Sequence, residues 1–431
     1  MTVLYGRRRC GKSRLVQEAL HRQVKVYYLA DLRDAAIQRE AVALEIARLL
    51  PGFEAAAYPD WTALLRTWKD RAPESAWLAL DEFPYLAQVS PELPSVVQKS
   101  LEEPEGRPLR ILLCGSSQRM MHGLVLDRTA PLYGRASEIL KIGPMPPPAV
   151  CEALALTPKD AVVAYAIWGG LPRNWELAAD YRSTEDALKA LVLDPNGVLH
   201  GEPPRLLLDD MRSAVQANSL LTLVGQGCNR LSEIAGRLGQ SATNLSRPLQ
   251  RLVDLGYVRR EIPFGESIRS TKRSLYRLDD PFLLFWYRFI APNASLLENR
   301  LVDPVYQKIV DGLPGHVGDV WEALAGESVP KLRPHGIAWG PASRWWGRGL
   351  DGAPLEIDVA AASLDGRHLL LGEVQWSERS RPLALARALA AKAARFPMVQ
   401  GRNVHHAVWV KKETIARADG VPVFGPGDVM R

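Results

Sequence analysis

Cysteine is scarce in this 431-residue chain: Cys10, Cys114, Cys151 and Cys228 stand far apart and form no CxxC pair. That excludes a zinc finger and a disulfide-stapled secreted scaffold, and points to a reducing cytoplasm. Long apolar runs are missing as well. No stretch approaches the roughly 18 uninterrupted apolar residues of a membrane helix, and the start runs straight into Arg7, Arg8 and Arg9, so neither export nor a membrane span is expected. The excess of one charge sign is small. Lys and Arg number 54 against 48 Asp and Glu, leaving +6, which permits a polyanionic partner without requiring one. What is present is ordinary globular material, 47% hydrophobic and 24% charged, which excludes global disorder and a collagen-like chain. The length suits about three domains.

Up to about Met145, short apolar runs alternate with amphipathic stretches: Val3–Tyr5, Val24–Leu29, Ala76–Leu80, Arg110–Cys114 and Glu138–Ile142. This rhythm predicts buried parallel strands with crossover helices, an α/β fold. The segment Gly143-Pro144-Met145-Pro146-Pro147-Pro148 can continue neither a helix nor a central strand, and marks the exit from a first domain over 1–148. A mostly helical region is expected over 149–215 and a compact domain over 216–290. A last domain over 312–431 reads helix, three strands, helix, strand.

Gly6-Arg7-Arg8-Arg9-Cys10-Gly11-Lys12-Ser13 fits GxxxxGK(S/T), between the apolar Val3-Leu4-Tyr5 and the helical spacing of Leu15, Val16, Ala19 and Leu20. The glycines let the backbone fold round phosphates, so that N–H groups and the helix N-terminus face the anion. Lys12 then reaches the β and γ phosphates, and the Ser13 hydroxyl binds Mg²⁺. Further on, Trp77-Leu78-Ala79-Leu80 leads into Asp81 and Glu82. The strand carries Asp81 to the sheet edge, where it holds the magnesium, and Glu82 polarises the attacking water. Ile111–Cys114 ends in Gly115-Ser116-Ser117-Gln118, which places Ser116 or Ser117 to sense the γ phosphate. Arg135, after Pro131-Leu132-Tyr133-Gly134, is a cation for charge developing on that phosphate, in cis or from a neighbouring subunit of a homo-oligomer.

Taken together, the loop, Leu80–Tyr85, Cys114–Ser117, Pro131–Arg135 and Gly169-Gly170-Leu171-Pro172 resemble the archaeal-type ATPase family, which is itself similar to the AAA+ and STAND NTPases. The resemblance covers about the first 180 residues. It implies a P-loop NTPase sheet with a helical lid, ATP rather than GTP as ligand, and Gly170 and Pro172 on the lid near the nucleotide. The family normally carries a helical segment with an Arg-Glu pair before the P-loop strand, part of its adenine pocket, yet only five residues precede Gly6 here. A start further upstream or a looser hold on adenine accounts for this; the first is the expectation.

In the middle, Arg230–Gly236 begins an amphipathic helix, Gly239-Gln240-Ser241 makes a turn, and Thr243–Leu255 carries Leu245, Leu249, Leu252 and Leu255 at helical spacing. Two β segments follow, Tyr257–Pro263 and Ser274–Leu278. This order reads as a winged helix-turn-helix. Its second helix would offer Asn244, Ser246, Arg247, Gln250 and Arg251 to DNA, and its wing Arg269, Lys272 and Arg273. Pro248 is expected to kink that helix or restrict its first turn. Leu255–Val258 and Asp280-Pro281-Phe282 extend the family resemblance.

At the C-terminus, Leu355–Val359 and Leu369–Trp376 read as neighbouring strands that each carry an acid, Asp358 and Glu373. Buried acids are costly unless paired or bound to a metal, so these two are expected to share a Mg²⁺, with Glu322 as a further ligand. The order of elements resembles a PD-(D/E)xK nuclease-like domain, an α+β restriction-endonuclease-like fold that commonly ends this ATPase family. The family's Lys is Gln375 here, which cannot carry the cation, and Lys411 or Lys412 is the candidate substitute. The histidines, including His405-His406, show no ligand spacing, and Trp345-Trp346 reads as core. The whole reads as a Mg²⁺-dependent ATPase whose nucleotide state controls DNA engagement. The alternative is a STAND-like switch that signals through protein contacts with an inactive C-terminal domain.

Overall fold

Five segments, Thr2–Tyr5 (β1), Lys25–Leu29 (β2), Trp77–Asp81 (β3), Ile111–Gly115 (β4) and Glu138–Lys141 (β5), pair in the order β2-β3-β4-β1-β5 in the computed structural model, and every pairing is parallel. The structure describes residues 1–431 except 104–106, 212, 268, 270, 272, 400 and 413–416, with backbone alone at 209 and 210. The β3 and β4 strands are packed on both faces, which is why they read as unbroken apolar runs, whereas all four residues of the edge strand β5 are exposed.

Successive side chains alternate between the two faces. On one face Val3, Val26, Leu78, Leu80, Ile111 and Leu113 meet Trp61, Trp68, Leu86 and Val97 from the crossover helices. On the other, Leu4, Ala79, Leu112 and Cys114 meet Val16 and Leu20 from the helix that follows the glycine loop, Lys12–Ala19. Because all five strands run the same way, the loop after β1, Asp81 at the end of β3 and Gly115 at the end of β4 fall on one edge of the sheet.

The residues to Pro144, with two short stretches at 171–173 and 208–211, form one compact unit, and the remainder forms a second that begins at Met145, inside the proline-rich segment. The regions expected as separate helical, middle and C-terminal domains pack together as that one unit.

Within it, Leu231–Leu238 ends at left-handed Gly239, and Ser241 caps the next helix, Ala242–Asp254, by accepting from the Asn244 N–H. Leu245, Leu249 and Leu252 form its buried stripe, and the helix continues through Pro248. An antiparallel ribbon follows, Val258–Glu261 (β6) with Leu275–Leu278 (β7).

The last sheet has six strands: Ser343–Arg348 (β8), Pro354–Ala362 (β9), His368–Gln375 (β10), Asn403–Val410 (β11), Arg417–Ala418 (β12) and Val421–Phe424 (β13), in the order β12-β13-β11-β10-β9-β8. Helix Pro382–Ala394 links the parallel pair β10 and β11. The helix expected from 312 starts at Val302 and runs to Leu332 through Pro314. Its buried residues Val305, Ile309, Val317, Val320, Trp321 and Leu324 keep one face inward, so packing overrides the local breakers. Among the described residues, no helix is long and apolar enough to cross a membrane.

Gly6 admits no side chain: its φ is 156°, and a Cβ there would lie 2.1 Å from the Ile142 carbonyl oxygen. Gly6→Ala is therefore expected to destabilise the N-terminal unit by about 2 kcal/mol or more, read as a lower midpoint in thermal or urea unfolding. An unchanged midpoint would show that Ile142 yields freely.

Candidate functional site

The glycine loop enters its helix through two left-handed residues, Arg9 at φ 66° and Gly11 at φ 81°. No side chain caps the helix at Gly11, so the N–H groups of its first turn stay available to an anion. Arg7 and Cys10 are buried, Arg8 is exposed and donates to the Tyr85 hydroxyl, and Lys12 is buried with its Nζ 2.8 Å from the Arg7 carbonyl oxygen.

Asp81 is 1% exposed. Its Oδ1 accepts the Glu82 N–H at 2.9 Å, and its Oδ2 accepts the Tyr27 hydroxyl at 2.7 Å. Burial, then Asp81, push the Tyr27 phenol above its ordinary range, while Ser13 and Gln17, which also approach the phenol, oppose this. Tyr27 thus joins the two expected magnesium ligands, Ser13 and Asp81. Sequence reading missed it because a tyrosine in a strand looks like core.

Glu82 takes a left-handed φ of 53°, and its Oε2 accepts the Ser116 N–H at 3.1 Å. Cys114 lies in the same field: burial and Asp81 raise its thiol pKa, Lys12 lowers it and Glu82 raises it. Lys12, Asp81, Glu82 and Ser116 are therefore brought together at one sheet edge. Ser117 caps the following short helix, and Arg135 is ion-paired with Glu102 at the end of helix Leu93–Glu102.

In the second unit, Asn244, Ser246, Arg247 and Gln250 are exposed on helix Ala242–Asp254, and Arg251 is half-buried. Ser246 donates to its own helix at the Ala242 carbonyl, and Gln250 to Asp254. Of the hairpin cations, Arg269 is exposed, Arg273 is paired with Glu266 at 2.5 Å, and Lys272 lies outside the described residues. The ribbon is held against the C-terminal sheet. Glu261 of β6 meets Arg259 at 2.8 Å, Arg277 at 3.1 Å and Arg344 of β8 at 3.8 Å, and the Phe264 N–H donates to the Arg344 carbonyl at 2.8 Å.

Continuing the antiparallel register past Val359 and Gly372 sets Asp358 opposite Glu373, on one face of the sheet. Asp358 Oδ2 accepts the Val374 N–H at 2.9 Å, whereas both Glu373 oxygens accept from Lys392 Nζ, at 2.7 and 2.6 Å. Lys392, on helix Pro382–Ala394, thus brings to this pair the cation missing at 375. Lys411 and Lys412 are instead paired with Glu378, at 2.8 and 3.2 Å.

Glu322 sits 3.9 Å from Arg344. Burial, reinforced by Asp358, raises its carboxyl to about 7. Among the described residues no three His, Cys, Asp or Glu side chains are arranged to hold a metal ion, so Glu322, Asp358 and Glu373 are neighbours without forming a ligand set. The fold also gathers histidines that sequence spacing left apart. His368 Nδ1 and His405 Nε2 are 2.9 Å apart, and the His335 ring lies 5.0 Å from that of His405.

Comparison with known proteins places this geometry in a class. Residues 1–176 match a family described as an ATPase domain predominantly from Archaea, and residues 286–387 match one described as Archaea bacterial proteins of unknown function. A solved structure, the Walker-type ATPase of Pyrococcus abyssi, covers 67% of this chain and 90% of its own, with a TM-score of 0.50 at 19% identity, a likeness of fold alone. Residues 1–176 are thus similar to an archaeal-type ATPase domain, and the fold is like that of a Walker-type ATPase. An uncharacterised protein of Methanocaldococcus jannaschii is 28% identical over 392 residues, 87% of this chain and 82% of that protein.

Two outcomes follow from these contacts. Tyr27→Phe removes the hydroxyl that Asp81 accepts from; with Asp81 as the expected magnesium ligand of an ATPase, the Mg²⁺ concentration for half-maximal ATP hydrolysis is expected to rise about ten-fold, and an unchanged requirement would reduce Tyr27 to packing. Glu322 binds its proton more tightly in the folded than in the unfolded state, so the native state loses stability as pH rises from 4.5 to about 7. Glu322→Gln removes that loss, up to about 3 kcal/mol, and flattens the dependence of unfolding midpoint on pH.

Proposed function

We propose that this chain is a Mg²⁺-dependent ATPase whose nucleotide state controls how a winged helix-turn-helix and the C-terminal domain engage DNA. The observation that carries the ATPase half is the meeting of an uncapped helix N-terminus and buried Lys12 with Asp81 and Glu82 on one sheet edge. The loop N–H groups and Lys12 bind the phosphates; Lys12 exchanges its bond to the Arg7 carbonyl for a phosphate oxygen. Ser13 and Asp81, both close to the Tyr27 hydroxyl, are oxygen donors of the kind Mg²⁺ prefers. That ion, when bound, neutralises charge on the β and γ phosphates. Glu82, aimed by the Ser116 N–H, orients the attacking water. Arg135 contributes only after leaving Glu102.

The DNA half is supported by the order helix, turn, capped helix, ribbon, and by the exposed row Asn244, Ser246, Arg247 and Gln250. The wing works differently from a free one, since Arg273 is turned to Glu266 and the ribbon leans on β8. Cleavage is not part of this reading: Glu373 gives both oxygens to Lys392, and Gln375 adds no cation.

Steady-state ATP hydrolysis with Mg²⁺, with and without duplex DNA, tests the proposal. Lys12→Ala is expected to lower turnover about 100-fold or more, and Glu82→Gln to lower kcat by a similar factor while ATP still binds. Duplex DNA is expected to stimulate the parent chain. Hydrolysis by Lys12→Ala at the parent rate would overturn the ATPase assignment; slow turnover indifferent to DNA would favour the signalling switch.

A further inference from the structure

Between the helix-turn-helix with its hairpin and the C-terminal sheet runs a groove of about 1190 Å³. Four arginines line it, Arg230, Arg260, Arg273 and Arg348, against one carboxylate, Glu266. That surplus is large beside the +6 of the whole chain. Each cation is an arginine, whose planar fork matches phosphate oxygens two at a time. Arg230 and Arg348 are exposed, Arg260 is steadied by the Ser274 hydroxyl at 2.8 Å, and Arg273 holds the Glu266 carboxylate where a phosphate oxygen can replace it.

The aromatic content of this groove separates two tryptophans that stand side by side in the sequence. Adjacent residues of a strand face opposite ways. Trp345 and Trp346 both line the groove, but Trp345 is buried against Phe396, with ring centroids 4.9 Å apart, while Trp346 is half-buried, on the same strand face as Arg348. The Arg273 guanidinium reaches over from the hairpin to the edge strand β8 on its Trp345 side, where a Cβ on Gly347 would lie 2.7 Å from it, so the groove takes in both sides of that edge.

We propose that this groove binds a single strand of nucleic acid, one base stacked on Trp346 and the flanking phosphates held by the four arginines. A base offers a π face to the indole whatever its identity, and stacking with arginine contacts is the general chemistry of strand binding. An acidic peptide would satisfy the arginines and leave Trp346 without a role. The proposal rests on the reading of DNA as partner and names the form that this second site takes.

The test is binding of fluorescently labelled oligothymidine and of a labelled duplex to the full chain, followed by anisotropy over a range of salt. Trp346→Ala is expected to weaken strand binding about ten-fold, and Trp346→Phe to restore most of it. Arg348→Ala should lower the slope of log affinity against log salt by about 0.7, the loss of one phosphate contact on a single strand. Arg247→Ala, on the exposed helix face, should leave strand binding alone. Strand affinity unmoved by Trp346→Ala and Arg348→Ala, in variants that keep the parent's melting temperature, overturns the groove proposal. So does binding of a poly-glutamate peptide that competes fully with the strand and is equally indifferent to Trp346. If duplex binds through Arg247 while the strand does not bind, the groove fails and DNA engagement stands; if neither binds, both fail.

Discussion

The carboxylate of Asp81, almost wholly buried at the end of a strand, sets the terms for the N-terminal unit. An ionised acid taken out of water is tolerated only where donors replace the lost hydration. Two donors do so here, the Tyr27 hydroxyl from the neighbouring strand and the N–H of Glu82. The second has a geometric consequence. Turning that N–H back to Asp81 goes with the left-handed backbone at Glu82, which carries the glutamate side chain across to the Ser116 N–H just past the end of β4. Lys12 is likewise held, on the Arg7 carbonyl. Lys12, Asp81 and Glu82 thus each already have a protein partner, so ligand binding at these side chains is an exchange of bonds, while the first-turn N–H groups of helix Lys12–Ala19 stay open to an anion.

Much of this arrangement was legible in the sequence because the chemistry needs particular residues at fixed spacing. Gly6, Gly11, Lys12 and Ser13 follow from the loop, and Asp81 and Glu82 from an apolar run that ends in two acids. The five strands of the first sheet fall within a residue or two of their expected places; for β3 and β4 the reason is that parallel strands buried on both faces leave a continuous apolar signal. What escaped notice depends on contacts between residues distant in the chain. Tyr27 is a common strand residue until Asp81 stands beside it. Lys392 sits among alanines on a helix, as any surface lysine does, and only the crossover from β10 to β11 brings it to Glu373. Trp345 and Trp346 read alike as core, yet strand alternation puts them on opposite faces of β8, one buried against Phe396 and the other half-buried. The helix read from about 312 begins ten residues earlier, at Val302, because its inward face continues through Pro314.

The second unit is organised by charge in a way that its modest net value conceals. Glu261 stands among Arg259, Arg277 and Arg344, and Arg344 reaches on to Glu322 and Glu356. This network, together with the Phe264 backbone contact, docks the ribbon on the sheet and turns part of the hairpin's positive charge inward. It also gives the joint a distinctive response to heat. The cost of stripping water from charged groups falls as temperature rises, whereas the gain from apolar burial levels off. Warming therefore weakens the electrostatic part of this seam less steeply than the leucine-lined packing of the helices beside it.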